Sequence, residues 1–322
     1  MSDSRLLDPS RGERPRILVV VGPTASGKSA LAMDLCERLG GEILSADSMQ
    51  VYRGLDIGTA KATAAERARV RHHLLDLVDP DEPFNVAQYK ELADATLRRL
   101  AREGRPALVV GGTGLYVKVL LHGIFPAPKV DPELRARLYR EGEVYGPDYL
   151  HERLVIIDPQ AAEKIPRTDL VRVIRALEVH EQTGIPLSEH QLAHSFHGRD
   201  YEPLELGVDY PREVLYRRVE ERVDQMMAAG FLDEVRGLLA RGYGPEHKPM
   251  QALGYKQLTE HLRGECSLEE AVRKTKRETK RYAKRQLTWF KSDAVQWLEP
   301  ATDVAALAER CRAFLAREDV IE

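Results

Sequence analysis

Residues Gly22 to Ser29 read Gly-Pro-Thr-Ala-Ser-Gly-Lys-Ser and satisfy Gly-x-x-x-x-Gly-Lys-Ser/Thr at every fixed position, directly after the apolar run Ile17 to Val21. The chemistry that this pattern performs is phosphate binding. Its glycines let the backbone curl so that N–H groups point at phosphate oxygens, Lys28 adds a mobile positive charge, and the Ser29 hydroxyl can bind magnesium. A helix expected over Ala30 to Leu39 aims its positive end at the same place. The alternative is a chance glycine-rich turn, which the fixed residues and the strand-to-helix context disfavour. The loop alone does not say which phosphate compound it holds.

The elements that must position this loop can be read from patterning. Residues 16–123 alternate short apolar runs with helical periodicity and glycine-rich turns, with strand candidates at Ile17–Val21, Ile43–Ala46 and Ala107–Val110. This predicts an α/β fold, a P-loop-containing parallel sheet flanked by helices. Ligands of such sheets gather beyond the C-terminal strand ends. Three ends carry unusual residues: the phosphate loop, Ser45-Ala46-Asp47-Ser48, and Gly111-Gly112-Thr113-Gly114. Taken singly, Asp47 reads first as a helix cap and Thr113 as a turn residue. Their shared position on one rim favours a functional reading.

A chain of 322 residues with 43% hydrophobic content exceeds the size at which a single core stops growing, so two lobes are expected. We divide it into the first part of the P-loop core (16–123), a mostly helical insertion (124–200), and a return to the core with basic C-terminal helices (201–322). Leu204 to Val208 reads as the returning strand, followed by long amphipathic helix up to Trp297. A nucleotide-driven motor would place a magnesium-binding acid at the end of an apolar strand. Leu154-Val155-Ile156-Ile157-Asp158 imitates this, but it lies in the insertion before Pro159, and Asp158 reads as a turn residue. Asp76 is a weaker candidate. The adjacent His72 and His73 lack a spaced third ligand and read as structural.

Net charge is −3, yet Arg273 to Lys291 holds nine Lys or Arg against one acid, Glu278, with Tyr282, Trp289 and Phe290 interspersed. As a helix this sets Arg273, Arg277, Lys280, Arg281 and Lys284 along one broad face. The stripe reads equally as a solvated surface or as a polyanion-binding one. Cys36, Cys266 and Cys311 are few, odd in number and far apart, which argues against a disulfide framework or a zinc ribbon. No apolar stretch is long enough to span a bilayer, and Met1 to Pro15 is not built like a signal peptide, so no membrane partner and a cytoplasmic location are expected.

Taken together, Gly22–Ser29, Ser45-Ala-Asp-Ser-Met-Gln-Val-Tyr52, Asp56-Ile-Gly-Thr-Ala-Lys61 and Gly111-Gly-Thr-Gly-Leu-Tyr116 resemble the tRNA dimethylallyltransferase family. Arg172-Val-Ile-Arg-Ala-Leu-Glu-Val179, Gly254-Tyr-Lys-Gln257 and Thr279-Lys-Arg-Tyr-Ala-Lys-Arg-Gln-Leu-Thr-Trp289 follow in the family's order, so the resemblance covers roughly 16–298. It implies transfer of a dimethylallyl group from dimethylallyl diphosphate to N6 of adenosine 37 in the tRNA anticodon stem-loop, with diphosphate as leaving group and Mg²⁺ as cofactor. By the same resemblance, Asp47 is the general base and Thr113 bonds near the bridging oxygen. Gly22, Thr24, Ala25, Ser26, Gly27, Lys28 and Ser29 hold the diphosphate, with Ser29 on the metal. Asp47, Ser48, Gln50, Lys280, Arg281, Lys284 and Arg285 meet tRNA, as does the insertion, and a monomer is expected.

Arg218 and Arg222, one helical turn apart, resemble a pair that faces diphosphate or tRNA; paired instead with Glu220 and Glu221 they read as a solvated helix face. Two departures stand out. Ile165-Pro-Arg-Thr-Asp169 lacks the Pro-Asn-Asp form of many members, and the cysteines of the eukaryotic C-terminal zinc finger are missing, which implies the bacterial type. The other readings are an isopentenyltransferase acting on free adenine nucleotides, a P-loop small-molecule kinase, and a nucleotide-switched RNA-binding protein.

Overall fold

The computed structural model describes residues 14–125, 127–194, 200–291 and 294–317, and its strands form one parallel sheet. In chain order they are β1 (Arg16–Val21), β2 (Glu42–Ser45), β3 (His72–His73), β4 (Ala107–Gly111), β5 (Glu202–Val208) and β6 (Val295–Leu298). Across the sheet they run β3-β2-β4-β1-β5-β6, every neighbouring pair parallel. The helices are α1 (Lys28–Leu39), α2 (Ala64–Arg69), α3 (Val86–Arg102), α4 (Gly114–His122), α5 (Pro132–Tyr145), α6 (Pro147–Ile157), α7 (Pro159–Lys164), α8 (Leu170–Thr183), α9 (Leu187–His194), α10 (Arg212–Ala228), α11 (Phe231–Ala240), α12 (Tyr255–Leu262), α13 (Leu268–Phe290) and α14 (Val304–Ala316). The chain divides into two units, 122–199 and the remainder.

Both faces of the sheet are covered, which is why its central strands are continuously apolar instead of alternating. Ile17, Val19 and Val21 of β1 enter one core with Tyr89, Ala93 and Leu97 of α3. Leu18 and Val20 enter the opposite core with Leu35 and Cys36 of α1 and Leu307 and Cys311 of α14. Each fully buried aliphatic side chain contributes about 1.5–3 kcal/mol, so this double burial holds β1 and β4 in place as the frame of the site. The start of α3 is fixed locally by a reciprocal bond pair between Asn85 and Gln88.

Helices α5 to α9 make up the unit 122–199 around Leu138, Leu150, Leu154, Val173, Ile174 and Leu177. Leu154–Ile157 is the end of α6, and Asp158 caps α7, accepting the Ala161 N–H at 3.0 Å and the Ser188 N–H at 2.8 Å. The Arg172–Val179 block is part of α8. Its Glu178 is fully buried and accepts from Arg135 at 2.6 Å and Arg175 at 2.8 Å, which compensates the cost of the buried charge.

Two expectations need correction. The long helix read up to Trp297 is in fact α10 to α13 followed by strand β6, because Gly230, Gly242, Gly254 and Gly264 take positive φ between the helices. Val295-Gln-Trp-Leu298 extends the sheet beside β5. The second concerns the sheet edge, where strand β3 is not among the strand candidates; it is formed by His72 and His73, which read as structural, and His73 meets the buried Glu42 at 2.6 Å. Asp76 is occupied by Lys61 at 2.7 Å and Arg67 at 2.8 Å. Of the segment Met1 to Pro15, residues 1–13 lie outside the described residues.

Candidate active site

The C-terminal ends of β1, β2 and β4 lie side by side, since β4 sits between β2 and β1 in the sheet. Their loops therefore meet at one rim. After Val21 the chain enters Gly22, and Ala25 and Gly27 adopt the left-handed region at φ 65° and 85°. Alternating hands of curvature turn successive N–H groups inward as an anion cradle. Gly27 caps α1 without a side-chain bond, leaving the first N–H groups of that helix for a ligand.

The side chains around this loop are short of anions. Lys28 donates to the Pro23 carbonyl at 3.1 Å. Burial, and then the neighbouring Arg222, lower its ammonium to about 8, with Asp47 pulling the other way. Burial also depresses Arg222, again opposed by Asp47, and its Nε is buried without a partner. Ser26 Oγ is likewise buried and unpartnered. Arg218 donates from Nε to the Ala25 carbonyl at 2.8 Å and lies over the Tyr210 ring at 4.6 Å. Asp47 is thus the carboxylate that acts on both Lys28 and Arg222, and unpartnered donors lie in the loop at Ser26 and beside it at Arg222; a phosphate group would satisfy both shortages. Glu220 and Glu221 do not neutralise this arginine pair, being engaged by Lys280 and Arg217.

The second and third strand ends are tied to each other. Ala46 N–H donates to the Val110 carbonyl at 2.8 Å, and Thr113 N–H to the Ala46 carbonyl at 3.1 Å. This approach is so close that a Cβ on Gly111 would stand 2.1 Å from the Ala46 carbonyl oxygen. Thr113 Oγ1 accepts the Ser48 N–H at 3.0 Å. Asp47 Oδ1 accepts the N–H groups of Met49 at 2.8 Å and Gln50 at 3.3 Å, fixing its carboxylate in a tight turn. Gln50 accepts the Ser45 hydroxyl at 2.9 Å and donates to the Thr59 carbonyl at 3.2 Å and the Ala60 carbonyl at 3.4 Å. Its amide is committed to holding the turn.

Gln286 was not singled out in the sequence, although it joins two of the three loops. It accepts the Thr24 N–H at 2.8 Å and donates to the Gly112 carbonyl at 2.9 Å. The signal lay in its position: with Ala271, Thr275, Ala283 and Phe290 it lies on the buried face of an otherwise basic helix. Tyr282 on α13 bonds to Gln286 and Thr113, and burial and then Asp47 push its hydroxyl up to about 12.

On the outer side of α13, Arg281, Lys284, Arg285 and Trp289 are exposed, with Arg281 paired to Glu278 at 2.9 Å. Lys280 is half-buried, bound to Glu220 of α10 and set over the Tyr216 ring. Ser29 is exposed in the first turn of α1. The structure therefore brings the phosphate loop, Arg218, Arg222, Asp47 and Thr113 together, whereas the α13 cations form a separate outer set.

The family described as IPP transferase matches residues 50–293, and that described as isopentenyl transferase matches residues 15–81. The chain is 50% identical over 301 residues to a tRNA dimethylallyltransferase 1 of Pelobacter propionicus, covering 93% of this chain and 97% of the relative. It is 52% identical over 295 residues to a tRNA dimethylallyltransferase of Syntrophobacter fumaroxidans, covering 91% and 86%. Among solved structures, the tRNA isopentenylpyrophosphate transferase of Bacillus halodurans superposes with a TM-score of 0.69 at 40% identity, covering 94% of this chain and 97% of that one. A eukaryotic dimethylallyltransferase acting on tRNA gives 0.80 at 28% identity, covering 95% and 81%. By the extent of these matches, this chain belongs to the IPP transferase family, whose members include the tRNA dimethylallyltransferases.

Proposed function

We propose that this protein transfers the dimethylallyl group of dimethylallyl diphosphate to N6 of adenosine 37 in the anticodon stem-loop of tRNA, releasing diphosphate. The observation that carries this reading is that Asp47 interacts with both half-buried cations of the phosphate cradle, Lys28 and Arg222, while its neighbour Ser48 is bonded to Thr113. A base stands beside a leaving-group site, as group transfer to a weak nucleophile requires.

In the reaction the C1–O bond to diphosphate breaks and the bond from N6 to C1 forms. The N6 proton passes to the Asp47 carboxylate, and the bonding pair of C1–O stays on the departing diphosphate. The N–H groups of Gly22, Ala25, Gly27, Lys28 and Ser29, with the Lys28 ammonium, Arg218 and Arg222, stabilise the charge growing on that group, while the Thr24 N–H stays with Gln286 and the Ser26 N–H with the Pro23 carbonyl. Removing one such preorganised donor costs about two to three orders of magnitude in rate. Thr113 bonds near the bridging oxygen, its hydroxyl oriented by Ser48 and Tyr282. Among the described residues no three carboxylate, histidine or cysteine groups cluster to cage a metal. A Mg²⁺ would be held by Ser29 Oγ and the substrate's own phosphate oxygens, a donor set that suits it, and would neutralise the leaving group.

On the acceptor side, Ser48 and Gln50 shape the turn that meets the adenine. Lys284 and Arg285 contact RNA phosphates, joined by Lys280 and Arg281 once their ion pairs open, and Trp289 offers a stacking face. The base must leave its stack, at lower cost in a loop than in a duplex. The unit 122–199 supplies further tRNA contacts. Among the described residues no helix is long and apolar enough to cross a membrane; we place the enzyme in the cytoplasm as a monomer. The test is incubation with Mg²⁺, dimethylallyl diphosphate and unmodified tRNA, followed by digestion and mass spectrometry. N6-dimethylallyladenosine is expected. Product on free AMP or ATP but not on tRNA would overturn the assignment of acceptor.

A further inference from the structure

Glu234 lies in the first turn of α11, outside every motif assigned above, yet its carboxylate is fully engaged with two of them, the Asp56–Lys61 block and Tyr255 of the Gly254–Gln257 block. Oε2 accepts the N–H groups of Asp56 at 3.0 Å and Ile57 at 2.7 Å. Oε1 accepts the N–H of Gly58 at 3.1 Å and the Tyr255 hydroxyl at 2.6 Å. Three successive amides turned toward one point form a nest for an anion, and here the protein fills it with its own side chain. Bonds to an ionised acceptor are roughly twice as strong as neutral ones, so this clamp dominates the local conformation.

The segment it clamps reaches the reacting centre in two steps. The carbonyls of Thr59 and Ala60, the next two residues, accept both bonds from Gln50 Nε2. Gln50 in turn donates its backbone N–H to Asp47 Oδ1, and its side chain holds the Ser45 hydroxyl. Ala60 sits at φ 46°, a left-handed conformation that a non-glycine residue keeps only under external restraint. On the far side, Lys61 is fully buried and bonds Asp56 and Asp76 at 2.7 Å each and the Tyr52 carbonyl at 2.8 Å. Lys61 secures the ends of the segment, and Glu234 secures its middle.

We propose that Glu234 is a positioning residue for the transfer reaction, acting through the 56–60 segment and Gln50 to hold the Asp47 carboxylate in line with the acceptor N6. This rests on the function proposed above. The phosphate cradle is built from other elements, so Glu234 governs the base and not the binding of dimethylallyl diphosphate. A misplacement on the order of 1 Å at a reacting group costs about 100-fold in rate, and partial retention through Lys61 sets the expected loss at about tenfold.

The experiment uses the full-length protein with Glu234→Ala and the shape-conserving Glu234→Gln. Each is titrated for the fraction competent to bind dimethylallyl diphosphate, then assayed for single-turnover transfer to tRNA per competent site. The expected result is a roughly tenfold lower transfer rate in Glu234→Ala with KM for dimethylallyl diphosphate within about twofold of the parent, and partial recovery on adding acetate, which fits the emptied nest. Glu234→Gln should fall between the two. An unchanged rate per competent site in both variants overturns the positioning role, as does a loss explained wholly by a smaller competent fraction. Failure of the parent protein to prenylate tRNA would instead remove the underlying function, so the two failures are distinguishable.

Discussion

Lys28 supplies charge that the leaving group needs, and its burial makes that charge costly. Its ammonium is lowered to about 8, by desolvation first and by Arg222 second. The sign follows directly. In the ligand-free protein Lys28 is protonated below about pH 8 and neutral above it, and a bound diphosphate raises its proton affinity again. Affinity for the diphosphate is therefore fully present below about 8 and is lost as pH rises through that value. Once Lys28 is mostly neutral, each further pH unit removes about 1.4 kcal/mol, or a factor of ten in Kd. At about pH 9 the loss should be roughly tenfold, whereas a lysine with an ordinary value near 10.4 would show almost none. Isothermal titration of dimethylallyl diphosphate without acceptor, at fixed free Mg²⁺ and between about pH 7 and about pH 9.5, measures this, with Lys28→Arg as the control that stays charged throughout. A Kd that is flat across the range, or an equal slope in Lys28→Arg, would refute the reasoning.

Other consequences can be checked alongside. Asp47→Asn keeps the shape of the turn but not the base, so kcat should fall by about two to four orders of magnitude while tRNA Kd changes little; an undiminished single-turnover rate would remove Asp47 as the base. Replacing Lys284 and Arg285 with Gln should weaken tRNA binding and lower the magnitude of the log Kd against log salt slope by up to about two units. An unchanged slope would mean that these exposed cations merely solvate α13. Gly111→Ala forces a Cβ to within 2.1 Å of the Ala46 carbonyl oxygen. The two strand ends would have to separate, lowering unfolding free energy by about 1–3 kcal/mol in a denaturant melt, and full stability would contradict the packing described.

How much of this was legible in the sequence depended on how local each signal was. The phosphate loop and strands β1, β2 and β4 announce themselves through apolar runs that end in glycine or acidic turns, apolar because both sheet faces are covered, and β5 through the alternation Leu204, Leu206, Val208. Strand β3 is two residues long and β6 four, and neither carries a period that separates it from loop or helix. The three loops of the site could be placed on one rim from strand polarity alone. What could not be read was the set of long-range bonds that fix them: Gln286 to Thr24 and Gly112, Arg218 to Ala25, and Glu234 to residues 56–58. Each depends on how a C-terminal helix lies against the sheet, which no local pattern encodes. For the same reason the basic stripe looked uniform, although Lys280 turns inward to Glu220 while Lys284 and Arg285 face out.

The central claim is that the phosphate loop holds a leaving group and transfers nothing phosphoryl. Dimethylallyl diphosphate labelled with tritium in the prenyl chain and with radioactive phosphorus in both phosphates, turned over once on unmodified tRNA, tests this most directly. The account predicts tritium on the tRNA, all phosphorus in intact diphosphate, and one diphosphate released for each prenyl group attached. Phosphorus on the tRNA, or release of inorganic phosphate in step with the reaction, would contradict it.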